Sequence, residues 1–186
     1  DFSAFVDHGI TPALSTLAQC EAALNAGVPE VQLVLDTGLG RNGLHFTEWE
    51  YALPRIAELL AGSQTQLSGV MSHLSNTSEQ DDLSQAALFD RAVAALAELG
   101  LSPKLRHLAA SAAALRHPEL HYDLVRIGIA SYGLAPSDEQ PVAELGLRPV
   151  LSLSAELVPS GTGGFEIALG AAQGLPQQLE GFSVLL

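Results

Sequence analysis

Two arginines, a histidine and a serine stand where their side chains could do chemistry. Arg41 lies in Asp36-Thr37-Gly38-Leu39-Gly40-Arg41-Asn42-Gly43, a glycine-rich loop behind an apolar run. Its guanidinium fork could hold a carboxylate or a phenolate oxygen there, and a plain loop with a surface arginine fits the same letters. His73 ends the run Leu67-Ser68-Gly69-Val70-Met71-Ser72-His73-Leu74. An imidazole so placed could be a general base, a metal ligand or a hydrogen-bonding support, and a satisfied core histidine is the plainer reading. Metal binding is not expected, because no second His or Cys sits at ligand spacing from it. Arg126 lies inside Leu124-Val125-Arg126-Ile127-Gly128-Ile129-Ala130. A guanidinium in an apolar run needs a partner or a ligand to offset its desolvation; Asp123 or Asp36 would serve as an ion-pair partner. The Ser111 hydroxyl and the backbone N–H groups of Gly128 and Ile129 could cradle an oxyanion. Equally, Ser111 could simply cap a short helix, Ala112 to Arg116. His107 and His117 flank the third apolar run, and neither acquires a role.

These residues need elements to hold them. Apolar runs at Val31–Asp36, Leu67–Leu74, Leu105–Ala110 and Leu124–Ile129 read as strands. Between them fall helical patterns at Pro12–Ala26, stopped by Gly27, at Thr47–Leu60, and at Ser84–Leu99, stopped by Gly100. Thr11 before Pro12, and Thr47 with Glu50 three residues on, carry N-cap chemistry. Strands alternating with helices imply parallel βα units, in a doubly wound layer or a barrel, and either architecture places its ligands at the strands' C-terminal ends. Beyond Pro136–Pro141 the pattern changes: Val150–Val158 alternates like an antiparallel strand. A boundary is therefore expected between residues 137 and 147.

Composition narrows the partners. Eight basic against 21 acidic side chains leave a net charge of −13, which repels phosphate backbones and anionic lipid. Neither nucleic acid nor membrane is an expected partner. No apolar stretch is long enough to span a bilayer, and Asp1 to Gly9 has no basic segment ahead of an apolar one. A cytoplasmic protein is expected. The lone Cys20, in helical surroundings, reads as a buried structural thiol.

Four segments taken together, Asp36–Gly43, Gly69–Leu74, His107–Leu115 and Asp123–Leu134, resemble the alanine racemase family in order and spacing. The resemblance implies an α/β fold: a TIM-type (β/α)8 barrel, about half of it present over residues 1–140, then part of a mainly β C-terminal domain over 141–186. It implies pyridoxal 5'-phosphate (PLP) as cofactor, interconversion of L- and D-alanine for the cell wall, a small amino-acid substrate and a homodimer with a shared active site. By position, Arg126 matches the arginine on the pyridine nitrogen and His73 the histidine supporting it. Ser111, Gly128 and Ile129 match contacts to the cofactor phosphate, and Arg41 the arginine near the phenolic oxygen and substrate carboxylate. No catalytic residue is assigned. The family's Schiff-base lysine belongs to a first barrel strand this sequence does not contain, and its only lysine, Lys104, lies in a loop outside any such motif. Ala171 stands where the family has its catalytic tyrosine, Ala110 where it often has Asn, and Val34 where many members have a lysine near Arg41. A catalytically inactive PLP-binding or regulatory relative, or another racemase or decarboxylase of the same barrel group, are the alternatives.

Overall fold

Seven residues, Glu30–Asp36, form the longest strand, β2, because Val31, Leu33, Val34 and Leu35 are apolar and largely β-branched or leucine. The computed structural model describes residues 2–137, 140–152, 154–155, 157–159 and 165–167. In chain order the elements are α1 (Ser3–Asp7), β1 (Ala13–Leu14), α2 (Leu17–Asn25), β2, β3 (Leu44–His45), α3 (Trp49–Ala61), β4 (Gln66–Met71), α4 (Glu79–Glu98), β5 (Leu105–His107) and α5 (Ser111–Arg116). A short antiparallel pair, β6 (Leu157–Pro159) and β7 (Phe165–Ile167), follows. Two compact units result, 1–148 and 149–186.

Within the first unit the sheet runs β1-β2-β4-β5, every pairing parallel, with the two-residue β3 attached to the end of β2. Helices connect β1 to β2, β3 to β4 and β4 to β5, and along β1, β2, β4 and β5 each strand is added beside the one before it. A doubly wound sheet reverses its order at a switch point; this one never does, and its progression is that of a barrel wall. The wall continues past β5 through one parallel bridge, Ala110 to Arg126.

Alternation divides the sheet's faces. Val31, Leu33, Leu35 and Val70 join Leu53 and Ile56 of α3, and Phe89 and Leu96 of α4, in the core between sheet and helices. The opposite face carries Gln32, Val34, Gly69, Met71 and His107, placed side by side by the register Gln32↔Gly69, Val34↔Met71 and Met71↔His107. Cys20 is buried in the core, and burial pushes its thiol up to about 11.

Several elements depart from sequence expectation. The segment expected as one helix, Pro12–Ala26, divides into β1 and α2, with Thr16 rather than Thr11 capping α2 by accepting from the Gln19 N–H (3.1 Å). The cap before α3 is a box between His45 and Glu48 instead of Thr47 and Glu50. Helix α4 starts five residues early, at Glu79, because Ser78 caps it and Glu79, Asp81 and Asp82 face the positive end of its dipole. The strand expected over Leu124–Ile129 is only a bridge at Arg126, and Ile129–Tyr132 turns into a 3-10 helix. Among the described residues of Val150–Val158, Leu157 and Val158 are extended in a pair, while 150–152 form no strand. Among the described residues no helix is long and apolar enough to cross a membrane.

Candidate functional site

The C-terminal ends of β2, β4 and β5 and the bridge at Arg126 converge on one end of the wall. Asp36 closes β2, and its carboxylate accepts from the Gly38 and Gly40 N–H groups (2.9 and 3.1 Å). That wraps the glycine-rich loop around one carboxylate and presents Arg41. After β4, the Ser72 hydroxyl shares a 2.8 Å hydrogen bond with the Thr37 hydroxyl, both side chains buried. Gln85 of α4 joins the same two loops. Its amide exchanges bonds with Ser75 in both directions, accepting from the N–H (2.9 Å) and donating to the hydroxyl (2.7 Å). It also lies where a side chain on Gly38 would be, 3.3 Å from the position of a Cβ.

Arg126 sits where these loops meet the end of β5. Its Nη2 donates to the carbonyls of Ser72 (2.8 Å) and Leu108 (3.1 Å) and lies 3.3 Å from His73 Nδ1. Its Nη1 donates to His107 Nδ1 (2.8 Å), and its backbone N–H to the Ala109 carbonyl (3.0 Å). Neither carboxylate proposed as its partner meets it: Asp123 is held by Arg106 (2.8 Å) and Asp36 by its own loop. Among the described residues nothing accepts from Nε. The charge is therefore held by carbonyls and imidazoles, and the Nε–H is among the donors that no described residue takes up.

Arg41 is exposed and forms no hydrogen bond with a described residue, yet its charge acts on both His73 and Arg126. Burial first, then Arg41, lowers the Arg126 pKa, though a guanidinium stays charged. Burial, then Arg126, then Arg41 push the His73 imidazole below its ordinary value; burial, then Arg126, do the same to His107. The result is two cations close enough to act on each other, with uncharged imidazoles beside Arg126. Such a cluster is complementary to an anion.

The end nearer α5 completes the arrangement. Ser111, expected either to cap α5 or to cradle an anion, does not cap it. The N-cap is Ala110, and the buried Ser111 Oγ accepts from the Gly128 (3.0 Å) and Ala130 (3.3 Å) N–H groups. A neutral oxygen thus occupies the spot at which backbone amides would meet an oxyanion, and the Ile129 N–H beside them is bonded to no described residue. His73, Ala110, Ser111, Arg126, Gly128 and Ile129 line one cleft of about 310 Å³. Arg41 does not line it. A larger open hollow, about 1070 Å³, lies at the opposite end of the strands. Its walls are the ends of α2 and α3, with only Glu21 and Glu58 as charged groups, and barrel enzymes do not place chemistry at that end.

Sequence reasoning overlooked His107. It bonds Arg126 more closely than His73 does, and its Nε2 reaches Gln32 Oε1 (2.9 Å). The signal was present in the pair itself: Gln32 interrupts the apolar run Val31–Leu35, and His107 directly precedes the apolar Leu108-Ala109-Ala110 at the end of its strand. Lys104 is exposed at the N-terminal end of β5, away from the cleft. Val34 is buried on the inner face of the sheet. Ala171 and its Gly170–Pro176 segment lie outside the described residues.

The depressed histidines predict a pH response. In the unfolded chain they take up protons near pH 6.5, while the folded site refuses them. Where the unfolded state binds more protons, stability falls with falling pH. The melting temperature of the full-length protein should therefore drop as pH passes below about 6.5, before the lowered carboxylates of Asp81 and Asp123 begin to respond near their ordinary 3.8. Gln at both histidines should flatten that slope; a melting temperature constant from pH 7 to 5.5 in the parent contradicts it.

Comparison with known proteins agrees with this arrangement. A family model described as alanine racemase, N-terminal domain, matches residues 1–136. An alanine racemase of Beutenbergia cavernae is 36% identical over 183 residues, covering 86% of this chain and 48% of the relative. One from Streptomyces coelicolor is 42% identical over 153 residues, 76% of this chain and 39% of the relative. The crystal structure of alanine racemase from D-cycloserine-producing Streptomyces lavendulae matches with a TM-score of 0.75 at 32% identity, over 86% of this chain and 46% of that one. That from Clostridium difficile 630 in complex with cycloserine gives 0.72 at 26%, over 80% and 42%. The chain spans less than half the length of these relatives, and its consecutive parallel strands are part of an (β/α)8 barrel. On the match over residues 1–136 and the identities above, the chain belongs to the alanine racemase family.

Proposed function

We infer that the whole protein interconverts L- and D-alanine with PLP, and that this chain supplies the cofactor cradle. The observation carrying this reading is Arg126: a half-buried guanidinium with no carboxylate partner and no acceptor for its Nε–H among the described residues, on a cleft that also holds amide donors.

The donor set fits the group at both ends. PLP has a pyridine nitrogen that accepts a hydrogen bond and a dianionic phosphate. Arg126 would hold the first. The Ser111 hydroxyl and the N–H groups of Gly128 and Ile129 would hold the second, with Ser111 turning from acceptor to donor. Bound PLP supplies an electron-withdrawing ring that acidifies the Cα–H of an amino acid joined to it. Arg126 would keep its protons and so would not protonate a pyridine nitrogen bound to it, a setting that would suit returning a proton to the same carbon over side reactions. His73 is kept neutral and fills the space beside the guanidinium without adding charge. Arg41, on its carboxylate-wound loop, would meet the substrate carboxylate or the phenolic oxygen.

Neither proton-transferring group of the family stands in this sequence: the Schiff-base lysine belongs to the barrel's other half, and the position of the tyrosine holds Ala171, which a partner subunit of a homodimer would carry as well. Cell-wall precursor supply in the cytoplasm is the setting this implies. Ala171 favours a second reading, a relative that binds PLP without turning over. One experiment separates them. Full-length protein is incubated with PLP and L-alanine in deuterated water, and Cα exchange and D-alanine are measured. Exchange with D-alanine formation supports the racemase; PLP binding with no exchange supports the binding-only relative; no PLP binding refutes both.

A further inference from the structure

We propose that Gln32 is a positioning residue for Arg126, acting through the ring of His107, and that position 69 is glycine so that Gln32 can lie there. The proposal rests on reading the cleft as a PLP site.

The logic is one of donors and acceptors. A guanidinium only donates, so the 2.8 Å contact from Arg126 Nη1 requires an unprotonated Nδ1 on His107. A neutral imidazole must then carry its proton on Nε2. That N–H points at Gln32 Oε1, 2.9 Å away, an acceptor that suits this tautomer and no other. Gln32 thus sets which nitrogen of His107 is free to receive Arg126. From β2, β4, β5 and the Arg126 segment, the only charged group acting on His107 is Arg126; His73 lies across the same guanidinium, and neither ring nitrogen touches a described carboxylate.

An independent observation puts Gln32 there by construction. The β2–β4 register shifts between Val31 and Gln32, so that Val31 faces Leu67 and Gln32 faces Gly69. The shift is a bulge, and it aims the Gln32 side chain across Gly69. A Cβ at position 69 would stand 2.9 Å from Gln32 Cδ, 3.0 Å from Cγ and 3.2 Å from Nε2. Any other residue would push the amide off His107.

The test uses full-length protein and PLP titrations from pH 6 to 9, reading each variant's affinity relative to wild type at the same pH. Gln32→Glu keeps the shape and adds a charge beside Nε2. The His107 pKa then rises, the ring is protonated at neutral pH, and Nδ1 turns into a donor facing Arg126. Affinity should fall about tenfold at pH 7, equivalent to about one pKa unit of coupling, and return to within about twofold of wild type by pH 9. Gln32→Leu should weaken binding by a similar factor at every pH. Nitrogen-15 spectra of His107 without ligand give a second readout: Nε2-protonated in wild type at pH 7, doubly protonated in Gln32→Glu. Wild-type affinity in Gln32→Glu at all pH values, an equal loss at all pH values, or a proton on Nδ1 in the wild type would each overturn the proposal. If the wild type binds no PLP, the reading of the cleft fails, and the spectra alone decide the relay.

Discussion

Replacing Arg126 by alanine in the full-length protein should weaken PLP binding by about two orders of magnitude or more. Four acceptors now share its side chain: the Ser72 and Leu108 carbonyls, His107 Nδ1 and, more distantly, His73 Nδ1. Alanine leaves them facing an empty space, and each buried acceptor without a donor costs about 1–3 kcal/mol. The same change removes the N–H available to the ring nitrogen and one of the two cations that favour an anion. Loss of about 3 kcal/mol corresponds to roughly a hundredfold in affinity. Fluorescence titration with PLP measures it, beside a melting curve of the ligand-free protein. Arg126→Lys is the useful companion. Its ammonium keeps the charge but cannot reach carbonyls and an imidazole while also serving a ring nitrogen, so it should regain stability more than affinity. Unchanged PLP affinity in Arg126→Ala would refute the role given to this residue.

The second large effect is expected at Gly43. Its φ of +109° is a conformation that side chains avoid, and a Cβ there would stand 2.8 Å from the Asp36 N, 2.9 Å from the Leu35 carbonyl carbon and 3.1 Å from the Val34 oxygen. All three are backbone atoms of β2, which cannot rotate away as a side chain could. Gly43→Ala should therefore lift β3 off β2, breaking the Leu35↔Leu44 and Asp36↔His45 pairing, and unwind the loop that presents Arg41. Backbone strain of this kind costs about 1–3 kcal/mol before the clash is added, so a loss above about 3 kcal/mol is expected, with activity falling further than stability. Gly40→Ala is the control in the same loop. Gly40 also has a positive φ, +70°, but no atom lies within 4 Å of its Cβ position. It should cost about 1 kcal/mol. Equal melting temperatures for the two variants would show that the close approach to β2 does not matter.

Legibility in the sequence tracked the length scale of the forces involved. Arg126 stood out because a guanidinium amid Leu, Val and Ile is costly wherever the chain goes. β2 and α3 were legible because seven and thirteen residues give a period time to declare itself. β1 was not: two residues, Ala13 and Leu14, carry no period, and they are strand only because β2 offers them partners at Gln32 and Leu33. The Leu124–Ile129 run failed in the opposite sense. Its β-branched content promises a strand, but only Arg126 finds a bridge, and Ile127 and Ile129 remain exposed. His107 escaped notice for a related reason. Its meaning depends on a bulge two strands away that brings Gln32 opposite Gly69, and pairing register is not written in either strand alone.

Gln85 carries one consequence for how damage spreads. A helix residue that grips the Ser75 turn with both ends of its amide, while resting against Gly38, makes two loops from separate βα units a single cooperative body, further joined by the Thr37 and Ser72 hydroxyls. Substitutions in the Arg41 loop and in the His73 loop should then fail additivity in a double-mutant cycle. The barrel mouth would yield as a unit, so variation tolerated in one loop depends on what its neighbour already holds.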